Sequence, residues 1–154
     1  MSPNRTDLSY RRTAIENASP VGLVVILYDL LIEDLRQAVS AIAREDTEAR
    51  SKVIKHAFVV LQQLEGSLDY GNGGEAAKNL GRFYAVMRGR IFEAHSKKDA
   101  QILNEQVNLL LDVRAAWQQV DPSSPAASAD AVSEAIHKPT VQADEEQTTA
   151  SWTA

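Results

Sequence analysis

The sequence predicts an all-α protein: an antiparallel up-and-down four-helix bundle (residues 19–120) with an N-terminal arm (residues 1–18) and a disordered acidic C-terminal tail (residues 121–154). Apolar residues of the middle region recur at alternating spacings of three and four, which is the period of a helix. Short turn segments divide this region into four runs of about 20 residues, as in up-and-down bundles. No stretch alternates in polarity as a strand would.

The first helix is predicted over residues 20–43. Ser19 suits the N-cap position and Pro20 the first helical position, where the missing N–H of proline does no harm. The residues that make one apolar seam along it are Val24, Tyr28, Leu31, Leu35, Ala38 and Ile42.

The other three helices are predicted over residues 47–69, residues 75–94 and from Asp99 through Trp117. The glycine-rich turn of residues 71–74 is expected to stop the second helix, because glycine readily takes the left-handed conformation after a last turn. Asp99 suits the positive end of the helix that follows it. After residue 120 the chain is rich in Ser, Thr, Ala and Pro with few large apolar residues, which predicts disorder; a transient helix over residues 126–137 is the alternative.

The net charge of −5 is concentrated in the tail. Residues 121–154 contain six acids and one base, a balance of −5, so residues 1–120 are neutral. The sequence shows no basic stripe, which argues against nucleic acid as a ligand because phosphate neutralisation supplies most of that affinity.

The cysteine content and the length of the apolar segments exclude further classes of protein. The absence of cysteine excludes disulfides, a thiol nucleophile and Cys-based metal sites. The polar N terminus lacks a signal-peptide core, and the longest apolar run, residues 21–28, is far shorter than the roughly 20 residues of a membrane helix. We therefore expect a cytoplasmic protein that does not insert into membranes.

No catalytic, cofactor-binding or metal-binding residues are predicted. The spacing of Glu134 and His137 matches one carboxylate–histidine motif of di-metal bundles, but such sites need two motifs and two further glutamates. The turn of residues 71–74 lacks the Lys-Ser/Thr pair of a phosphate-binding loop. We therefore expect a binding protein without enzymatic activity.

The first half of the first helix is more apolar than a bundle requires. Between residues 23 and 32 only Asp29 is polar, so apolar side chains point in nearly every direction around the helix. Either the N-terminal arm folds back over this surface, with Leu8, Tyr10 and Ile15 as anchors, or the surface is a groove for an amphipathic helix of a partner. The two interpretations are compatible, because an arm can fill a groove until a partner displaces it.

Several short motifs follow one another in a fixed order over about residues 10 to 120. They are Tyr10, Ala18-Ser19-Pro20, Leu27-Tyr28-Asp29, Leu68-Asp69, Gly73-Gly74-Glu75, Ala77, Asn79-Leu80, Tyr84, Met87, Ala94, Asp99 and Ala116-Trp117. Their order and spacing are similar to those of the flagellar secretion chaperone FliS family. Leu30 stands where a glycine is common in that family, and Asn17 replaces a threonine.

This resemblance implies a cytosolic chaperone that binds the disordered C-terminal segment of flagellin, prevents premature polymerisation and delivers flagellin to the export gate protein FlhA. It also implies that the arm is a removable cover, with Tyr10 matching the family's N-terminal tyrosine. The alternative is a helical adaptor or a homodimeric bundle with a different client. The residues assigned to partner binding are Tyr10, Ile15, Val25, Ile26, Leu27, Leu30, Leu109 and Val113.

Overall fold

The computed structural model describes residues 5–120 and 128–136 of the chain. Within residues 5–120 it contains five helices and no strand: α1 (Arg5–Asn17), α2 (Pro20–Ala43), α3 (Thr47–Gly66), α4 (Tyr70–Lys97) and α5 (Ala100–Gln118). The predicted all-α bundle is therefore confirmed, and the predicted N-terminal arm is itself helical.

The helices α2 to α5 form the bundle. Helix α2 packs against α3 and α5, and α4 packs against the same two helices on the opposite side. Two contacts show that α3 and α4 run antiparallel: Arg50 meets His95, whereas Glu65, further along α3, meets Arg88, earlier in α4. Short connections of two or three residues between helices produce this arrangement.

The core lies along the axis of the bundle and is built from all four of its helices. Seam positions of each helix meet there, since a helix of this kind buries one stripe and leaves the rest to solvent. The large side chains that are almost fully buried include Tyr28, Leu31, Leu35, Leu61, Leu64, Leu80, Tyr84, Met87, Ile91, Leu103 and Leu110.

The helix starts follow the capping residues in the sequence. The hydroxyl of Ser19 accepts a hydrogen bond from the backbone N–H of Gly22 at 3.0 Å, and Pro20 is the first helical residue. The carboxylate of Asp99 accepts from the backbone N–H of Gln101 at 3.0 Å and so caps α5. Both predicted starts are confirmed, because a capping oxygen satisfies N–H groups that have no partner inside the helix.

The boundary between α3 and α4 differs from the prediction. Helix α3 ends at Gly66 rather than residue 69. A helical turn from Tyr70 precedes the predicted start at residue 75, and the non-helical Gly74 separates this turn from the rest of α4. The reason is Asp69, whose carboxylate accepts from the N–H groups of Gly71 and Asn72, both at 3.1 Å, and thereby starts a helix. Hydrogen bonds from Asn72 hold the pKa of the Asp69 carboxyl below its usual value.

Gly74 interrupts α4 with a backbone conformation (φ 53°, ψ −129°) that residues with a side chain rarely adopt. We expect Gly74→Ala to lower the free energy of unfolding by about 1 to 3 kcal/mol. The matched control is Gly89→Ala in the same helix, where an added Cβ has no atom within 4 Å. That variant is expected to gain about 0.5 to 1 kcal/mol from the better helix propensity of alanine. Urea unfolding of both variants measures the contrast, and equal effects would contradict this explanation.

The predicted disordered tail is wrong for residues 128–136, which are helical. Ala129 and Val132 of this segment join the hydrophobic core, and Ile136 packs against it. The composition of this segment did not indicate a packed helix, because its apolar residues are few and mostly small. The spacings of three and four between those residues nevertheless place them on one helix face. The remaining residues of the predicted tail lie outside the described part of the chain.

Candidate functional site

The first half of α2 has two apolar faces. One face packs into the core through Val21, Val24, Tyr28 and Leu31. The other face carries four residues that are only partly covered: Leu23, Ile26, Leu27 and Leu30. The bundle therefore buries one apolar face of this helix and leaves the second available to another chain segment.

The second face forms one wall of a groove. A cavity of about 490 Å³ lies between Leu23, Ile26, Leu27 and Leu30 of α2, the end of α3 and Ile15 of α1. A second cavity, of about 280 Å³, continues along α2 past Ile26 and Leu30. We call this surface the outer groove, defined by Leu23, Ile26, Leu27 and Leu30 of α2 with Gln63 of α3 and Ser67, the residue that follows α3.

Helix α1 lies along the outer groove, and the contacts of its described side chains there are weak. Ile15 lines both cavities and is still 45% exposed. Arg11 donates a hydrogen bond to the Glu33 carboxylate of α2 at 2.9 Å, and both side chains are well exposed to solvent. Exposed ion pairs of this kind contribute little, so α1 covers the groove weakly.

Five of the eight predicted partner-binding residues come together at the outer groove: Ile15, Ile26, Leu27 and Leu30, with Tyr10 beside the second cavity. Tyr10 is 77% exposed. Thus the two sets that the sequence analysis linked, the arm and the outer face of the first helix, are neighbours in the structure.

The other three predicted residues lie elsewhere. Val113 is only 3% exposed and belongs to the core, so its assignment to a partner-binding surface does not fit the structure. Val25 packs partly buried against the core and lines neither cavity of the groove. Leu109 is exposed on α5, away from these cavities. The assignment of these residues to a surface failed because the helical period gives the angles between side chains on one helix. It does not give the positions of the neighbouring helices.

Three groove residues were absent from the predicted set: Leu23, Gln63 and Ser67. Leu23 had a signal, since it stands three, four and seven residues before Ile26, Leu27 and Leu30. Gln63 and Ser67 had no such signal, because polar residues near the end of a helix are common on any protein surface.

A buried aromatic cluster lies beneath α2, on the inner side of the same turns. The hydroxyls of Tyr28 and Tyr84 form a hydrogen bond at 2.8 Å, and their rings meet edge to face. Burial raises the pKa of Tyr28 to about 12 and raises the pKa of Tyr84 well above its usual value. The indole of Trp117 lies near the Tyr28 hydroxyl, but its buried Nε1 meets no acceptor in hydrogen-bonding geometry among the described residues.

Two of the histidines have specific neighbours. The Nδ1 atom of His56 lies 2.6 Å from the carboxylate of Asp34, whose pKa is raised by burial despite this contact. Arg50 donates to Nδ1 of His95 at 3.2 Å, and burial, with the Arg50 charge, lowers the pKa of His95. Among residues 5–120 and 128–136, no three His, Asp or Glu side chains are grouped to hold a metal ion. Glu134 is exposed, and His137 lies outside the described residues.

None of the helices in the described part of the chain is both long enough and apolar enough to cross a bilayer.

Comparisons with known proteins identify the family. The family model described as flagellar protein FliS matches residues 2–124. The flagellar secretion chaperone FliSB of Pseudomonas aeruginosa is 34% identical over 115 residues, which cover 72% of this chain and 91% of that protein. The flagellar secretion chaperone FliS of Salmonella typhimurium is 31% identical over 113 residues, 73% of this chain and 84% of that protein. The chain therefore belongs to the FliS family of flagellar secretion chaperones.

Proposed function

We propose that this protein is a cytoplasmic export chaperone that binds the C-terminal segment of flagellin in its outer groove. Binding would cover the segment, prevent premature polymerisation and keep flagellin competent for export. The single observation that carries this proposal is the second apolar face of α2, which the bundle leaves partly uncovered.

The shape and chemistry of the outer groove support a helical client. Leu23, Ile26, Leu27 and Leu30 recur at helical spacing, so they form a stripe along α2 rather than an isolated pocket. An amphipathic helix can lay its apolar face into such a stripe. A client that is disordered when free loses conformational entropy on binding, and a long apolar contact offsets that cost.

The position of α1 supports the proposal that the arm is a removable cover. Among the side chains of α1 that the structure describes, Arg11 forms an exposed ion pair with Glu33, and Tyr10 and Ile15 line the cavities while staying exposed. A client helix with a larger apolar face would gain more from the groove than α1 does. Displacement of α1 then exposes Leu23, Ile26 and Leu30 to the client.

Delivery of flagellin to the export gate protein FlhA completes the proposed function. Membership in a family of secretion chaperones supports this step.

Calorimetric titration with the isolated C-terminal segment of the same organism's flagellin tests the proposed function. We expect tight one-to-one binding with a negative heat-capacity change, because burial of apolar surface produces that sign. The heat-capacity change follows from titrations at several temperatures.

A scrambled flagellin segment of the same composition is the control, and it should not bind. Absence of binding by the native segment at high micromolar concentration would reject flagellin as the client. Sedimentation of this protein alone then tests the homodimer, which predicts a mass that rises with concentration.

A further inference from the structure

The helical segment of residues 128–136 lies beyond the residues that the FliS family model matches, which end at residue 124. It nevertheless packs on the bundle: Val132 is fully buried and Ala129 is 4% exposed. The amide of Asn79 on α4 donates a hydrogen bond to the hydroxyl of Ser133 at 3.1 Å. The family bundle thus carries an additional helical segment on its surface.

This segment covers a cavity that opens toward the aromatic cluster. The cavity has a volume of about 220 Å³ and is lined by Leu80, Tyr84, Trp117 and, from the segment, Ala129. Trp117 is only 3% exposed with the segment in place. Removal of Ala129 from this position therefore opens the cavity wall beside the Trp117 indole to solvent.

The covered cavity lies next to the outer groove. Val24 of α2 and Ser67, the residue that follows α3, line both the cavity under Ala129 and the large cavity of the outer groove. The two cavities are therefore neighbours at the start of α2. A client helix that lies along the outer groove and extends past Val24 and Ser67 would approach the position of residues 128–136.

The contacts of the segment suit a cover that can be removed. Most of the side chains that face the bundle are small, and Ile136 is the one large apolar side chain of the segment that packs, partly buried, against the core. A cavity remains beneath Ala129. The small buried side chains are Ser128, Ala129, Val132 and Ser133. Small apolar contacts offset little more than the conformational entropy lost when nine residues become ordered. The segment also stays tethered to α5, so it can rebind rapidly after release.

We propose that residues 128–136 are a removable cover over one end of the client-binding groove, in competition with a helix of the bound client. This inference rests on the proposed function for the nature of the client. It assigns to the C-terminal segment a role in lowering client affinity until the client displaces it.

The first experiment needs no client. In the 154-residue chain with Trp152→Phe, Trp117 is the one remaining tryptophan, and its fluorescence reports on the cover. We expect Val132→Asp to increase acrylamide quenching of Trp117 and to shift its emission to longer wavelength. Ala131→Asp adds the same charge to the exposed side of the segment and should change neither.

Circular dichroism establishes that the bundle remains folded in both variants, and Ala129→Asp serves as a second cover variant if Val132→Asp is unfolded. Equal quenching of Trp117 in the Val132→Asp and Ala131→Asp proteins would overturn the proposed cover.

The second experiment measures affinity for the flagellin C-terminal segment by calorimetry. We expect Val132→Asp to bind about tenfold more tightly than Ala131→Asp, as for a cover closed in about nine molecules of ten. Unchanged or weaker binding with an accessible Trp117 would overturn the competition. Failure of the proposed function looks different: no protein, including the one with an accessible Trp117, would bind the segment, and the competition would be rejected with it.

Discussion

The Ile26→Asp variant is expected to bind the flagellin C-terminal segment about 100-fold more weakly than the unchanged protein while its bundle stays folded. Ile26 lines both cavities of the outer groove and is not part of the buried core. Loss of a buried isoleucine contact costs about 1.5 to 3 kcal/mol, and a carboxylate in its place must also be desolvated by the client. A loss of about 2.7 kcal/mol corresponds to the 100-fold change.

Val86→Asp is the matched control for this prediction. Val86 is an exposed apolar residue on α4 and lines neither cavity of the outer groove. It receives the same charge, and its client affinity should stay within about threefold of the unchanged protein, since surface substitutions usually have small effects. Calorimetry gives the affinities and thermal unfolding gives the stabilities. If both substitutions weakened client binding equally, the client would not bind in the outer groove. If the Ile26→Asp protein were unfolded, Ile26 would belong to the core.

The second large effect is expected at alkaline pH. Between about pH 10 and pH 12, the protein should lose on the order of 3 kcal/mol of its free energy of unfolding through Tyr28. Burial raises the pKa of Tyr28 from 10.0 to about 12, because an ionised phenol in the core has no water around it. Burial also raises the pKa of Tyr84, so its contribution has the same sign.

The direction of this loss follows from the proton balance. Above pH 10 the phenol of Tyr28 ionises in the unfolded chain, whereas in the folded protein it keeps its proton until about pH 12. The unfolded state therefore binds fewer protons in this window, and the free energy of unfolding falls as pH rises. The full contribution of the raised pKa is present below pH 10 and is lost as pH rises through 12.

A double variant isolates the tyrosine contribution from the other groups that titrate at high pH. Tyr28→Phe with Tyr84→Phe removes both partners of the 2.8 Å hydrogen bond together and leaves no hydroxyl buried alone. Urea unfolding at intervals from pH 9 to 12 should show a shallower decline for the double variant, by at least the Tyr28 contribution of about 3 kcal/mol. Parallel declines in the two proteins would contradict the assignment to Tyr28 and Tyr84.

The helix starts and the seams could be predicted from the sequence because they depend on local chemistry. Ser19 and Asp99 cap helices through oxygens that reach N–H groups two or three residues away. The seam through Tyr28, Leu31 and Leu35 depends only on the helical period. The glycine-rich turn was harder, since two local preferences compete there: glycine can end α3, and Asp69 can begin α4. In the structure α3 ends before these glycines, Asp69 caps a first turn from Tyr70, and Gly74 interrupts the helix after that turn.

By itself, then, the sequence determined the all-α class, the extent of α2, the excess of apolar residues on that helix and the resemblance to a chaperone family. Only the tertiary structure decided which apolar residues are surface. Val113 and Ile26 are both apolar residues beside a seam, but the neighbouring helices bury Val113 and leave Ile26 in a groove.

Likewise, residues 128–136 have too few large apolar residues to predict a packed helix from composition. Residues 128–136 form a packed helix because Asn79 and Leu80 of α4 and Trp117 of α5 together supply a complementary surface. Burial is a property of such assembled surfaces, and a single chain segment does not specify it.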